Sequence, residues 1–215
     1  PYSLEEMISS RFITFMERSM GNSVFSPAYG LGAMVFNGTE DQHLLWQVGV
    51  FENDLPDAIP RRDADNFATA FTGRVVWLPW YDECTEGRGL LHLGAAYSYR
   101  DAFDAAHDFR SRENSAFGPY ILRGGAPVLT DCNLFGLEAA VVYGPFSVQS
   151  EYKEAWLEYP TGGNAVIPAF YVQLSYFLTG ENRGYKFDLG RFDRVKPFEN
   201  FFRVRAEDGC CYTGK

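Results

Sequence analysis

The amino-acid sequence predicts an all-β protein whose strands form a transmembrane antiparallel β-barrel. Three observations support this fold class: most strand-like segments are ten residues or longer, their side chains alternate between an apolar and a polar face, and Tyr or Trp marks the ends of the apolar faces. A tilted strand needs about 9–11 residues to cross a bilayer, whereas strands of globular proteins average about 5–6 residues. Long alternating strands with aromatic ends are typical of membrane barrels.

A two-residue period predicts eight strands, at 29–38, 43–53, 68–81, 89–100, 105–113, 131–143, 146–158 and 166–180. One short helical pattern runs from Leu4 to Met20. Tight hairpin turns are predicted at 37–41 and 143–145, and longer polar connections at 54–67, 114–129 and 181–200. The short and long connections do not alternate as they should in a barrel, so either one strand is misassigned or a loop folds inward.

The alternation is clearest in segment 166–180. Phe170, Leu174 and Leu178 share one face with other apolar side chains, whereas Gln173 and Ser175 lie opposite. Because successive side chains of a strand point to opposite sides of the sheet, one face of this segment is apolar and the other is polar. We expect the apolar face to contact lipid and the polar face to contact water.

A soluble sheet also alternates when one of its faces is buried, so the competing fold is a soluble or secreted β-sandwich or barrel that binds a ligand through its aromatic surface. Leu45 and Phe51 interrupt the polar face of segment 43–53, and segment 29–38 is also irregular. The polar faces are nevertheless rich in Gly, Ala and Ser, where a soluble surface would favour long Lys and Glu side chains. This composition favours the membrane barrel.

The overall composition excludes several classes of protein. The aromatic share is 17%, and 28 acidic against 19 basic residues give a net charge of −9. A nucleic-acid partner is not expected, because binding a polyanion requires a basic surface. No unbroken apolar stretch approaches the roughly 18–20 residues of a spanning helix. The chain opens on Pro1 without a signal segment, so we expect the start of an exported precursor to be missing.

Metal, cofactor and catalytic sites are not expected. The four cysteines have no metal-binding spacing, and we interpret them as incidental: Cys84, Cys132, Cys210 and Cys211. The three histidines fall on separate predicted strands and lack neighbouring acidic or cysteine residues in a metal pattern: His43, His92 and His107. No nucleophile with its base and no phosphate-binding motif is present, so the sequence does not predict an enzyme.

Several strings along the chain carry a family resemblance. They are Pro1–Glu6 with Ser9–Arg18, Thr72–Val75 with Leu78–Trp80, Arg110–Arg112, Gly136–Glu138 with Tyr143–Tyr152, Phe170–Glu181 with Gly184–Tyr185, and Gly190–Pro197 with Asn200–Phe201. In order and approximate spacing they resemble the phosphate-selective porin O and P family of outer-membrane proteins. The resemblance covers residues 1 to about 201.

The resemblance implies a large barrel of roughly 16 strands, of which this chain would hold about half. The whole chain, 1–215, would be one porin domain that is incomplete at both ends, with an atypical tail at 202–215. The implied function is passive diffusion of small polar solutes, with anions such as phosphate preferred. The implied surroundings are outer-membrane lipid of a Gram-negative-type bacterium and, by analogy, two further copies in a homotrimer.

Charged side chains on the polar faces are the predicted pore lining, because a constriction strengthens their field on a passing ion. They are Arg74, Arg100, Arg110, Arg112 and Lys153, with Glu138, Glu151 and Gln173 beside them. Two further loop candidates, Arg11 and Arg18, belong either to an inward-folded loop or to a solvated helical turn. Three more lie in the predicted connection 181–200, where we expect them to be exposed or to attract anions at the pore mouth: Arg191, Arg194 and Lys196. The alternative role for each strand cation is a salt bridge that braces the wall.

Overall fold

A computed structural model describes residues 2–26, 31–52, 69–85, 87–106, 109–112, 119–123, 125, 127–198, 204–205 and 211–212. Its main element is a seven-stranded antiparallel sheet in the order β1-β2-β3-β4-β7-β8-β9. The strands are β1 Gly32–Gly38, β2 Leu44–Glu52, β3 Thr69–Tyr81, β4 Gly89–Ala106, β7 Val128–Tyr143, β8 Phe146–Glu158 and β9 Asn164–Tyr176. The sheet is therefore an up-and-down meander, and among the described residues it does not close on itself.

Smaller elements surround the sheet. Two helices, α1 Leu4–Met7 and α2 Met20–Phe25, precede it. Three short hairpins pair β5 Arg110–Arg112 with β6 Tyr120–Arg123, β10 Tyr185–Lys186 with β11 Arg191–Phe192, and β12 Val204–Arg205 with β13 Cys211–Tyr212. Single 3-10 turns lie at Glu83–Thr85 and Phe187–Leu189. No helix in the described ranges is long and apolar enough to cross a membrane.

The all-β fold class is confirmed, and seven of the eight predicted strands lie in the sheet. The predicted strand 105–113 is wrong, because β4 continues to Ala106 and Arg110–Arg112 pairs in a separate hairpin. The predicted connection 114–129 contains β6 and the start of β7, and 181–200 contains β10 and β11. The predicted connection 54–67 lies outside the described residues.

The single helix predicted from Leu4 to Met20 is also wrong. The backbone becomes extended at Ile8, whose side chain is buried in an apolar cluster beneath the sheet. A second helix starts at Met20, where the Ser19 hydroxyl accepts a hydrogen bond from the backbone of Asn22. Burial of Ile8 and capping by Ser19 therefore divide the segment, because tertiary contacts outweigh weak helix propensity over so few residues.

With 105–113 removed from the sheet, the connections sort onto its two ends. The turns 39–43, 82–88 and 144–145 lie at one end, which we call the short-turn end. The strand ends that are joined by residues 53–68, 107–127 and 159–163 lie at the other end, and two of these three stretches are long in sequence. The apparent irregularity in the sequence came from the misassigned strand.

The two faces of the sheet have opposite character. The outward face exposes large apolar side chains, with Phe170 80% and Leu174 62% exposed. The same face carries Trp46, Val75, Trp77, Leu137, Tyr152, Trp156, Val172 and Tyr176. A soluble sandwich would bury such a face, because contiguous exposed apolar surface of this extent marks an interaction surface. In β2–β4 and β7–β9 the outer side is therefore the apolar side, as the alternation predicts, whereas β1 is exposed on both faces.

Two segments cover the inward face of the sheet. One is the N-terminal segment, residues 2–26, and the other is the 181–198 segment that follows β9. The N-terminal segment contributes Tyr2 and Phe25 to an apolar cluster at the end opposite the short turns. Its Ile8 joins Tyr185 and Phe192 of the 181–198 segment in a second cluster at the short-turn end. A belt of buried polar and charged side chains lies between the two clusters.

Candidate functional site

The polar belt is the candidate site. Its side chains lie together because of the two-residue period of the strands and the register between neighbouring strands. Side chains two residues apart point to the same face, and antiparallel register places the faces of neighbouring strands side by side. The buried members of the belt come from five adjacent strands: Gln47, Thr72, Arg74, His92, Ser98, Arg100, Glu138, Gln149, Glu151 and Lys153. The belt therefore gathers charges that are far apart in the sequence.

One cluster in the belt joins Arg74, Glu138 and His92. The Arg74 Nε and Nη2 atoms donate to the two Glu138 carboxylate oxygens at 2.9 and 2.8 Å, and His92 Nε2 lies 3.0 Å from Glu138 Oε2. The Arg74 and Glu138 side chains are 0% and 1% exposed. A buried bidentate salt bridge of this kind neutralises both charges and holds β3, β4 and β7 in register.

The same cluster fastens the 181–198 segment to the sheet. Arg74 Nη2 donates to the Gly190 carbonyl oxygen at 2.8 Å, and His92 Nδ1 lies 2.8 Å from the Tyr185 hydroxyl. Gly190 has φ +58°, and a Cβ there would lie 2.7 Å from a Leu45 methyl carbon. Only glycine adopts this backbone conformation and this close approach without strain. A larger residue at position 190 would therefore disturb the hydrogen bond between Arg74 and the residue 190 carbonyl oxygen.

A second cluster fastens the N-terminal segment. Lys153 Nζ donates to Ser3 Oγ at 2.9 Å, to Asn22 Oδ1 at 2.6 Å and to Ser26 Oγ at 2.7 Å. Glu151 accepts from the Ser3 hydroxyl at 2.7 Å and lies 3.3 Å from Lys153 Nζ. The ammonium group therefore has its donors used by protein oxygens, and this cluster braces the covering segment against β8.

Glu5 lies in the same covering segment. Its backbone N–H donates to Glu151 Oε1 at 2.7 Å, and its own carboxylate accepts from the Ser19 hydroxyl at 2.6 Å. Burial raises the pKa of Glu5, and the hydrogen bonds from Ser19 oppose that rise only in part. The carboxylate is thus held by local donors at the inner surface of the belt.

Arg183 lies in the 181–198 segment, contacts the belt, and was not predicted from the sequence. Its Nη1 donates to Gln149 Oε1 at 2.9 Å, and its guanidinium lies 3.9 Å from the centre of the Phe192 ring. Its Nη2 atom is buried and has no hydrogen-bond partner among the described residues. Burial lowers the pKa of Arg183 to about 10, so the group stays charged at neutral pH. The only sequence signal was its place between two strings of the family resemblance.

The other predicted pore-lining residues occupy different surroundings. Arg100 is buried on the inward face, with its Nε 3.4 Å from Ser98 Oγ. Gln173 is half-buried and lies beside Glu5 and Arg183 at a narrow gap between β9 and the two covering segments. Arg110 and Arg112 lie in the β5 hairpin rather than on a strand of the sheet, and their side chains are outside the described part of the chain.

The predicted loop cations divide into two groups. Arg18 and Arg191 are fastened to the N-terminal segment: Arg18 Nη2 donates to the Ile8 carbonyl oxygen at 2.8 Å, and Arg191 Nη1 donates to the Met7 carbonyl oxygen at 2.5 Å. The Arg191 Nε atom is buried without a partner among the residues described. The side chains of the second group are exposed: Arg11, Arg194 and Lys196.

Residues considered for metal or catalytic chemistry are scattered. Among the described residues, no group of three or more His, Cys, Asp or Glu side chains is placed to hold a metal ion. His43 Nδ1 lies 2.5 Å from the Leu78 carbonyl oxygen, and His107 lies outside the described residues. Cys84 is exposed and Cys132 is buried, both as free thiols.

The arrangement differs from the sequence expectation in one respect. The sequence predicts that the polar face lies against water, whereas its charged side chains are buried beneath the two covering segments. Arg74 and Lys153 are both paired with a carboxylate, which matches the wall-bracing alternative. The lining of a pore by the named residues stays a prediction.

Comparison with known proteins gives a consistent assignment. The family model described as phosphate-selective porin O and P matches residues 1–200. Porin O of Pseudomonas aeruginosa is 31% identical, over 96% of this chain and 53% of that protein. An uncharacterized protein of Caulobacter vibrioides is 30% identical, over 91% of this chain and 40% of its own length. The chain thus spans about half the length of these relatives, or less.

Proposed function

The chain belongs to the phosphate-selective porin O and P family, and from this we propose that the whole protein is a porin, a water-filled channel for passive diffusion of small polar solutes. The family is one of outer-membrane channels rather than enzymes, and the protein lies in the outer membrane of a Gram-negative bacterium. We propose that the preferred solutes are anions such as phosphate. Since the chain spans about half of Porin O, the sheet would be one part of a larger barrel wall.

The observation that carries this proposal is the inverted amphipathicity of the sheet. Arg74, Glu138 and Lys153 lie on the inward side, whereas Phe170 and Leu174 lie outward and exposed. Charges inside and apolar side chains outside are the arrangement of a barrel in lipid, because hydrocarbon solvates apolar groups and the lumen solvates polar ones. A soluble protein would invert it.

The spacing of aromatic residues fits a membrane thickness. Phe146 and Trp156 stand near opposite ends of β8, both exposed on the outward face. Antiparallel strands rise about 3.4 Å per residue and tilt about 40° in barrels, so this separation covers a height of roughly 25 Å. The apolar band of outer-membrane barrels is about 25 Å tall and is flanked by aromatic girdles.

Placing a charge on the outward face tests the lipid contact. We expect Val172→Arg, near the middle of β9, to lower the free energy of unfolding by about 2–4 kcal/mol, because the guanidinium must enter hydrocarbon. Asn164→Arg, at the start of the same strand, is the matched control and should cost less than about 1 kcal/mol. Urea titration of the full-length protein in lipid vesicles measures both, and equal losses would contradict the proposal.

The two ends of the sheet suggest an orientation. Outer-membrane barrels place short turns on the periplasmic side and long loops outside. We therefore propose that the short-turn end faces the periplasm. The N-terminal segment would then enter the lumen from the outer side, because it precedes the start of β1 at the long-connection end. The 181–198 segment would enter from the periplasmic side, and the two together would narrow the channel.

The proposed anion preference rests on cations that lack a complete set of partners. Arg74 and Lys153 are engaged by carboxylates and would brace the wall. Arg183 Nη2 and Arg191 Nε are buried donors with no partner among the described residues. A guanidinium stays charged and offers forked donors that match an oxyanion, so these two arginines are the best candidates for solute contact.

Ion selectivity in planar bilayers tests the function directly. We expect the full-length protein to form open pores whose reversal potential in a potassium chloride gradient shows chloride to be more permeant than potassium, because the lumen field favours anions. Phosphate added at increasing concentration should reduce the chloride current in a saturable way. Cation preference would contradict the anion proposal, and an absence of conductance would contradict the porin proposal.

The proposal involves no cofactor, nucleic-acid partner or catalytic residue. By analogy with other porins we also propose a homotrimer. Sedimentation of the detergent-solubilised protein should give the mass of three chains. A monomeric mass would remove the trimer without affecting the channel proposal.

A further inference from the structure

A cavity lies on the outward side of the sheet at the short-turn end. It has a volume of about 580 Å³, and its wall is built from aromatic side chains of four strands: Trp80, Tyr143, Phe146 and Tyr176. All four are 40–70% exposed. The Trp80 and Tyr143 ring centres lie 6.2 Å apart in a tilted arrangement, so these two rings of the wall pack against each other.

Two residues of opposite charge also line this cavity. Asp82 and Arg88 line it from the two ends of the turn 82–88. Backbone bonds hold that turn: Asp82 N–H donates to the Gly89 carbonyl oxygen and Gly144 N–H donates to the Arg88 carbonyl oxygen, both at 2.8 Å. The exposed Arg88 side chain makes no ion pair with any residue that the structure describes. The Asp82 carboxylate also accepts a hydrogen bond from the Thr85 hydroxyl at 2.7 Å, which leaves its other oxygen for a ligand. The turn thus presents one anion and one exposed cation beside an apolar wall.

We propose that this cavity, which we call the rim pocket, binds one phospholipid whose headgroup carries both a phosphate and a primary ammonium, as in phosphatidylethanolamine. The phosphate contacts Arg88, the ammonium contacts Asp82, and the upper acyl chain lies against the aromatic wall. A guanidinium pairs with phosphate through two parallel donors, and a carboxylate pairs with an ammonium through charge-assisted hydrogen bonds.

The charge pattern selects this lipid over others. A phosphatidylglycerol headgroup would satisfy Arg88 but leave Asp82 facing a negative charge without a cation. A phosphatidylcholine headgroup carries no N–H to donate to Asp82. The position also fits, because the pocket lies at the border of the apolar band, where lipid headgroups meet aromatic girdles. The inference needs the outward face to lie in lipid, but it does not need the lumen to prefer anions.

Native mass spectrometry of the full-length protein, with the three lipids added in detergent, tests the proposal. We expect the wild-type protein to retain phosphatidylethanolamine in preference to the other two lipids. Arg88→Gln should reduce its retention about tenfold, the effect of one lost charge-assisted contact. Asp82→Asn should remove the preference over phosphatidylglycerol. Tyr143→Ser, which opens the wall, should reduce retention of all three lipids.

Arg194→Gln is the matched control, because it removes an exposed arginine that is not part of the rim pocket. It should leave lipid retention unchanged. Equal phosphatidylethanolamine retention by wild type and Arg88→Gln would overturn the proposal. The proposal would also be overturned if Arg88→Gln changed the oligomeric mass but not the amount of bound lipid. The rim pocket would then be a contact site for a neighbouring subunit. Channel conductance of Arg88→Gln should match wild type, so failure here is distinguishable from failure of the porin function.

Discussion

Glu138→Gln is expected to lower the free energy of unfolding by about 3–5 kcal/mol, because the substitution leaves Arg74 as a buried charge without a counter-ion. Arg74 donates to both oxygens of Glu138, and neither side chain is more than 1% exposed. The loss should appear as a lower urea midpoint of the full-length protein in lipid vesicles. It should be accompanied by faster proteolysis of the 181–198 segment, which Arg74 also holds.

Glu158→Gln is the control for this prediction, since Glu158 lies exposed at the end of the neighbouring strand β8. It should change stability by less than about 0.5 kcal/mol. The double substitution Arg74→Gln with Glu138→Gln should cost less than the sum of the single substitutions, since contacting residues couple by about 0.5–3 kcal/mol. A Glu138→Gln protein as stable as wild type would show that water in the lumen solvates Arg74 and replaces its counter-ion.

Arg183→Gln is expected to weaken block of the chloride current by phosphate, raising the half-blocking concentration roughly tenfold. A hydrogen bond to a charged group contributes about 1.5–3 kcal/mol, and 1.4 kcal/mol corresponds to a factor of ten. The reason is the buried Nη2 donor, which no described protein group uses. The half-blocking phosphate concentration of Arg183→Lys should lie between those of wild type and Arg183→Gln. Lysine keeps the charge but loses the forked donors and the stacking on Phe192.

Arg194→Gln removes an exposed cation of the same segment and serves as the control, with a change of less than twofold expected. Current recordings in planar bilayers at several phosphate concentrations give both values. Arg183 remains protonated well below pH 10, so its own charge is the same at pH 6 and pH 8. If phosphate blocked the Arg183→Gln channel as well as it blocks the wild-type channel, Arg183 Nη2 would have no role in phosphate binding. That result would not affect the porin assignment.

Strand faces were predictable because they depend on a local property. Whether a side chain lies inward or outward follows from its odd or even position, so the outward Phe170 and Leu174 and the inward Arg74 and Lys153 were assigned correctly. The error at 105–113 has a different origin. The stretch has strand-forming residues, but its pairing partner β6 is only four residues long, and nothing local reveals that it leaves the main sheet.

The partners of the charged residues could not be predicted. Arg74 and Glu138 are 64 positions apart, and they meet because β3 and β7 both flank β4 in one register. Lys153 reaches Ser3, 150 positions away, only because the N-terminal segment folds back beneath the sheet. Such contacts depend on packing of whole segments, which no residue pattern within a single strand encodes.

By itself, the sequence determined an antiparallel membrane sheet with its apolar side outward, since strand period and aromatic placement are readable one strand at a time. Only the tertiary structure decided which inward cations are paired and which keep an unused donor. The physical reason is that a buried charge is defined by its neighbours in space. For Arg183 those neighbours are Gln149 on β8 and Phe192 on β11, which come together because the 181–198 segment packs against the sheet.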